Sequence, residues 1–111
     1  MPDKTIAKIA VSGVPFRLDR PYDYTIPAEL RGEVRAGVRV SVPFARANRR
    51  TEGIVLALAE TSGFDRLKPV AAVLDAEPLL TEEQLRLAIW MHERFFCTVS
   101  EAVREIGRAH V

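Results

Sequence analysis

The chain has 111 residues, 48% hydrophobic and 28% charged, with a net charge of +1. That balance excludes disordered and fibrous classes and fits one globular domain. No apolar run nears the ~20 residues of a membrane helix, the opening MPDKTIAKIA lacks a signal-peptide core, and the single Cys97 excludes an internal disulfide or a Cys-based zinc site, so a cytoplasmic setting without membrane contact is expected.

The first two thirds read as short strands. KIAVSGVP holds a short apolar run that breaks at Gly13 and Pro15. RPYDYTIP is a strand bounded by prolines, in which Tyr22, Tyr24 and Ile26 share one face and Asp23 and Thr25 the other. GVRVSVPF alternates most cleanly, with Val38, Val40, Val42 and Phe44 on one face and Arg39 and Ser41 opposite. EGIVLALAE and PVAAVLD are continuous apolar runs, which predicts strands buried on both sides. Glycines and prolines punctuate these segments, and such spacing predicts a small barrel or a strongly curved sheet.

From Pro78 the period becomes helical. Leu85, Ala88, Ile89, His92 and Phe96 fall on one stripe. Thr81 with Gln84 forms a capping box, Leu80 is placed to staple onto Leu85, and Glu82 and Glu83 suit the helix start. A second box, Thr98 with Glu101, opens another helix whose stripe is Val99, Ala102, Val103 and Ile106. The expected class is therefore α+β: a small β-barrel-like domain of about five to six short strands followed by two C-terminal helices. Residues 1–105 form the expected domain, with a β part at 1–77 and a helical part at 78–105. The closing IGRAHV, residues 106–111, reads as a frayed terminus or as an artefactual tail on a chain that naturally continues.

Catalytic signals are absent from the sequence. His92 reads as a helix-face residue and His110 lies in the closing tail. Glu82 and Glu83 are explained by the helix start, and Cys97 beside Phe96 reads as a buried, inert thiol. No nucleotide-binding, nucleophile-elbow or zinc-protease motif occurs. Charge says more. Residues 1–68 carry 12 Lys/Arg against 8 Asp/Glu, whereas residues 69–111 carry 4 against 7. An anionic ligand on the N-terminal half explains that skew, as does chance on a charged surface. In FARANRRTEG, Arg46, Arg49 and Arg50 sit in a loop between two strands, suited to phosphate contacts or simply to solvation. Asp23 between Tyr22 and Tyr24 has two readings: an exposed acid on a strand edge, or a hydrogen-bond acceptor for a sugar hydroxyl or base edge beside stacking rings.

In this order and spacing, the segments resemble a known family. PYDYTIP, then VRAGVRVSVPFARANRRTEGIVLAL, then LKPVAAVLDAEPLLTEEQLRLAIWMHERFFCTVSEAV are similar to the N-terminal domain of the primosomal replication-restart helicases, PriA or primosomal protein N′. The resemblance implies a module that binds the free 3′-OH end of the nascent leading strand at a stalled fork. It implies a pocket of Tyr22, Asp23, Tyr24, Ala45 and Lys68, with Asp23 accepting a hydrogen bond from the terminal hydroxyl and repelling the phosphate of a chain interior. The position of Ala45 is usually glycine in that family, so its methyl is expected to narrow the pocket or to oppose a φ > 0 backbone. The resemblance also implies that this chain alone is no enzyme. ATP-dependent 3′-to-5′ unwinding, ATP and zinc sites, and partners such as primosome proteins and single-strand-binding protein belong to the full-length relative. The competing expectation is a small barrel that binds a protein through Tyr22 and Tyr24.

Overall fold

A computed structural model describes residues 4–15, 18–95 and 98–109. Five strands form one sheet: β1 (Ile6–Val11), β2 (Tyr22–Thr25), β3 (Arg39–Phe44), β4 (Arg49–Ala59) and β5 (Ala72–Val73), in the order β2-β1-β4-β3-β5. All four neighbouring pairs are antiparallel. Two helices, α1 (Glu82–Phe95) and α2 (Val99–Ala109), follow. The class is α+β with five strands and two helices, as the sequence predicts. Phe96, Cys97 and His110 lie outside the described residues.

Alternation divides the sheet between two cores. Val40 and Val42 on β3, Ile9 and Val11 on β1, Val55 on β4 and Tyr24 on β2 are buried together on one face. Ala10 and Ile54, one step along their strands, point the other way and pack with Leu80, Leu85, Ala88, Val99, Ala102 and Ile106. The helices therefore cover one face, and the curled sheet encloses the other. β4 also carries a bulge. Lys8 pairs with Ala57 and Ile9 with Val55, so Leu56 is the extra residue. Such a bulge sharpens strand twist and helps the sheet curl.

The sheet is open rather than closed into a barrel. Its two edges are joined through the chain between Lys68 and Val73. Thr25 N donates to the Lys68 carbonyl at 3.0 Å and Val70 N donates to the Thr25 carbonyl at 2.9 Å. One residue later Ala71 N turns to the Ser41 carbonyl at 2.8 Å. This explains the one strand the apolar pattern misjudged. PVAAVLD was expected to be a strand buried on both sides, but only Ala72–Val73 form a ladder and Leu74 is 46% exposed. The segment serves as a strap across an edge, so few of its backbone groups are available to one partner strand.

Both capping boxes form. Thr81 N donates to Gln84 Oε1 and Gln84 N to Thr81 Oγ1, at 2.9 and 3.2 Å. Thr98 N donates to Glu101 Oε1 and Glu101 N to Thr98 Oγ1, at 3.0 and 3.1 Å. Those bonds hold the Glu101 carboxyl below its usual range. Asp19, nearly inaccessible, accepts from Val99 N at 2.6 Å and lies 3.1 Å from His92 Nδ1. His92 thus joins α1 to the start of α2, which fits a helix-face role. Leu80 and Leu85 are buried in one cluster, consistent with the staple, whereas Ile89, expected on the buried stripe, is 37% exposed. Helix α2 runs to Ala109, and Ile106 is buried with its apolar stripe. Among the described residues, no helix is long and apolar enough to cross a membrane.

Candidate nucleic-acid interface

Bounded by prolines, β2 is a short strand that pairs with β1 and, at Thr25, bridges to Pro69 of the strap. Beside this strand lies a cleft of about 520 Å³, walled by β2, the end of β3 and the chain from Phe64 to Lys68. All five residues singled out by resemblance, Tyr22, Asp23, Tyr24, Ala45 and Lys68, line it.

Asp23 is not the exposed acid of the simpler sequence reading. Its side chain is only 6% exposed. Directly opposite on β1, Lys8 donates from Nζ to Asp23 Oδ1 at 3.1 Å, a cross-strand ion pair. From the far side, Ser62 Oγ donates to Oδ2 at 2.6 Å. Burial pushes the carboxyl up, but the hydrogen bonds from Ser62 and Lys8 and the Lys8 charge outweigh it, so it is held below the usual carboxylate range. The acid is therefore ionised at neutral pH. Each carboxylate oxygen has two acceptor sites, so one bond to each leaves capacity for a further donor.

The two tyrosines differ sharply. Tyr24 is 4% exposed, belongs to the sheet's inner core, and donates its hydroxyl to the Pro43 carbonyl at 2.8 Å. Burial is the first cause that raises its hydroxyl pKa, to about 12. Tyr24 thus packs chiefly into the inner core and presents little surface to the cleft. Tyr22 is half-buried. It meets Phe44 edge-on, with centroids 5.1 Å apart and planes at 83°. The Arg20 guanidinium lies 5.3 Å from its ring centroid, within cation–π range. Its hydroxyl donates to the Leu18 carbonyl at 2.9 Å.

Ala45 opens the four-residue turn between β3 and β4 and adopts φ 63°. The methyl therefore does not forbid the left-handed conformation, although an L-residue pays about 1–2 kcal/mol for it. Its carbonyl accepts from Asn48 N and from Lys68 Nζ, each at 3.1 Å. Lys68 thus ties the strap to the turn across the cleft.

A second cleft, also about 520 Å³, shares Phe44 and Ala45 with the first and is lined by Arg46 and Arg49. Arg50 is set apart. Arg49 pairs with Phe44 but Arg50 pairs with Pro43, so the two arginines project from opposite faces. Of the three arginines expected in a loop, only Arg46 lies in the turn, whereas Arg49 and Arg50 open β4; Arg46 and Arg49 line the second cleft and Arg50 turns away.

Sequence reading missed Lys8, Ser62, Arg20, Arg66 and Phe64. The first two hold Asp23, and the last three line its cleft. Only Phe64 carried a local signal: a large aromatic between Gly63 and Asp65 in a polar loop.

Comparison with known proteins identifies the family. The family model described as the 3′DNA-binding domain (3′BD) of PriA matches residues 9–106. The replication restart protein PriA of Bacillus subtilis (strain 168) is 38% identical over 90 residues, covering 79% of this chain and 11% of that protein. The probable replication restart protein PriA of Mycobacterium leprae (strain TN) is 35% identical over 88 residues, or 78% of this chain and 13% of that protein. PriA of Chlamydia muridarum (strain MoPn / Nigg) is 28% identical over 101 residues, 87% of this chain and 13% of its own. The chain thus spans 11 to 13% of the length of these relatives. With its match running from β1 into α2, the chain belongs to the PriA 3′DNA-binding domain family.

Proposed function

We propose that this chain recognises the free 3′-OH end of the nascent leading strand at stalled replication forks, as the end-binding module of a PriA-type restart helicase. The observation that carries this reading is the convergence of Tyr22, Asp23, Tyr24, Ala45 and Lys68 on one cleft at the sheet edge. Asp23 supplies a fixed, ionised acceptor at its floor. A terminal hydroxyl donates to such a group, whereas the phosphate of an internal nucleotide meets a like charge. Around the acid, Arg20, Arg66 and Lys68 supply positive charge for the preceding phosphates, and Arg46 and Arg49 extend it into the neighbouring cleft. Unwinding driven by ATP, with any zinc site, belongs on this reading to the parts of the longer protein beyond these residues. Contacts with primosome proteins and single-strand-binding protein would run through that longer chain.

Fluorescence anisotropy with single strands ending in 3′-hydroxyl or 3′-phosphate tests the reading. The wild-type chain is expected to prefer the hydroxyl end by tenfold or more, since each 1.4 kcal/mol of discrimination is worth a factor of ten. Asp23→Asn, which keeps shape and removes charge, should erase most of that preference. Equal affinity for both ends in the wild type would overturn it.

A further inference from the structure

Phe64 is 70% exposed, the most exposed of the large hydrophobic side chains among the described residues. It lines the same cleft as Asp23. A lone exposed ring is ordinary on a protein surface, but this one stands in the cleft that holds the acid. Its backbone is anchored, not loose. Phe64 N donates to Ser62 Oγ at 3.2 Å, and the same hydroxyl donates to Asp23 Oδ2 at 2.6 Å. One serine therefore ties the Phe64 backbone to the acid.

The other aromatic groups of the cleft are committed. Tyr24 is buried, Phe44 takes the edge contact with Tyr22, and Arg20 lies within cation–π range of Tyr22. Phe64 is left as the broad apolar surface open to a ligand. We infer that Phe64 is the stacking platform for the base of the terminal nucleotide, so that the Ser62-linked pair of Phe64 and Asp23 reads base face and sugar hydroxyl together. The inference rests on the 3′-end reading. Aromatic stacking tolerates any base, so the platform adds affinity without adding sequence preference.

The test is a cycle between protein and DNA. Wild-type, Phe64→Ala and Phe64→Tyr chains are titrated with 3′-hydroxyl strands whose last nucleotide is normal or abasic. Circular dichroism checks that each variant keeps its fold, which an exposed side chain should not disturb. The wild type and Phe64→Tyr are expected to lose about 5- to 150-fold on removal of the terminal base, the range of single-base stacking. Phe64→Ala should bind the normal strand about as weakly as the wild type binds the abasic one, with little further loss. An equal abasic penalty in wild type and Phe64→Ala would overturn the role of Phe64. If the wild type still prefers hydroxyl over phosphate in that case, end recognition stands and only the platform falls. Loss of that preference too would remove both.

Discussion

Ala45 shows how one residue joins fold and site. The turn needs a left-handed residue between Phe44 and Arg46, and alanine occupies it at φ 63°. Its side chain is exposed, so replacing it with glycine removes no packing. Relief of strain is partly offset by the extra freedom glycine gives the unfolded chain. Ala45→Gly is expected to stabilise the domain by about 0.5–1 kcal/mol, raising the melting temperature by about 2–6 °C. An unchanged or lowered melting temperature in scanning calorimetry would show that relief of strain at this turn does not exceed the entropy cost of glycine. Asp23 carries the complementary lesson. Its placement between two rings was legible from the alternation of β2, and that alternation does put it opposite the tyrosines. Its partners were not legible. Lys8 is 15 residues away and Ser62 is 39, and a period-two pattern names the face of a side chain, not the neighbour waiting there.

At the scale of elements, the contact between sheet and helices turns on Gly37. It has φ 94°, its N–H donates to the Val55 carbonyl at 2.8 Å, and its carbonyl accepts from Leu79 N at 2.9 Å. A Cβ there would collide with the Leu80 carbonyl. Gly37→Ala thus meets both a disfavoured conformation and an obstructing backbone. A destabilisation above about 2 kcal/mol is expected, read as a lower urea midpoint with unchanged slope. A midpoint equal to wild type would mean that the entry into α1 is free to shift. The helices themselves were readable because capping boxes and a 3.6-residue stripe are local signals, satisfied within four residues. The strap from Lys68 to Val73 was misread for the opposite reason. Its apolar run is real, but Val70 is buried against the inner core while Ala71 and Leu74 bond to β3, so burial comes from bridging two edges.

For the whole molecule, the question is where a strand runs once its end is held. The two clefts meet at Phe44 and Ala45, so on the proposed reading a strand with its terminus at Asp23 has a path toward Arg46 and Arg49. Composition revealed the positive skew of the N-terminal half but could not assign it, because strand register decides which arginine faces the path. Arg49 stands opposite Phe44 on the cleft side, and Arg50 stands opposite Pro43 on the other. Each phosphate neutralised on a single strand contributes about 0.7 to the slope of log affinity against log salt. Arg49→Ala is therefore expected to weaken binding of 3′-hydroxyl and 3′-phosphate strands alike and to flatten the slope by about that amount. Arg50→Ala, with the same formal charge removed, should leave the slope close to wild type. If both variants flatten it equally, net charge rather than a defined path governs the approach of the backbone, and the second cleft has no special part in binding.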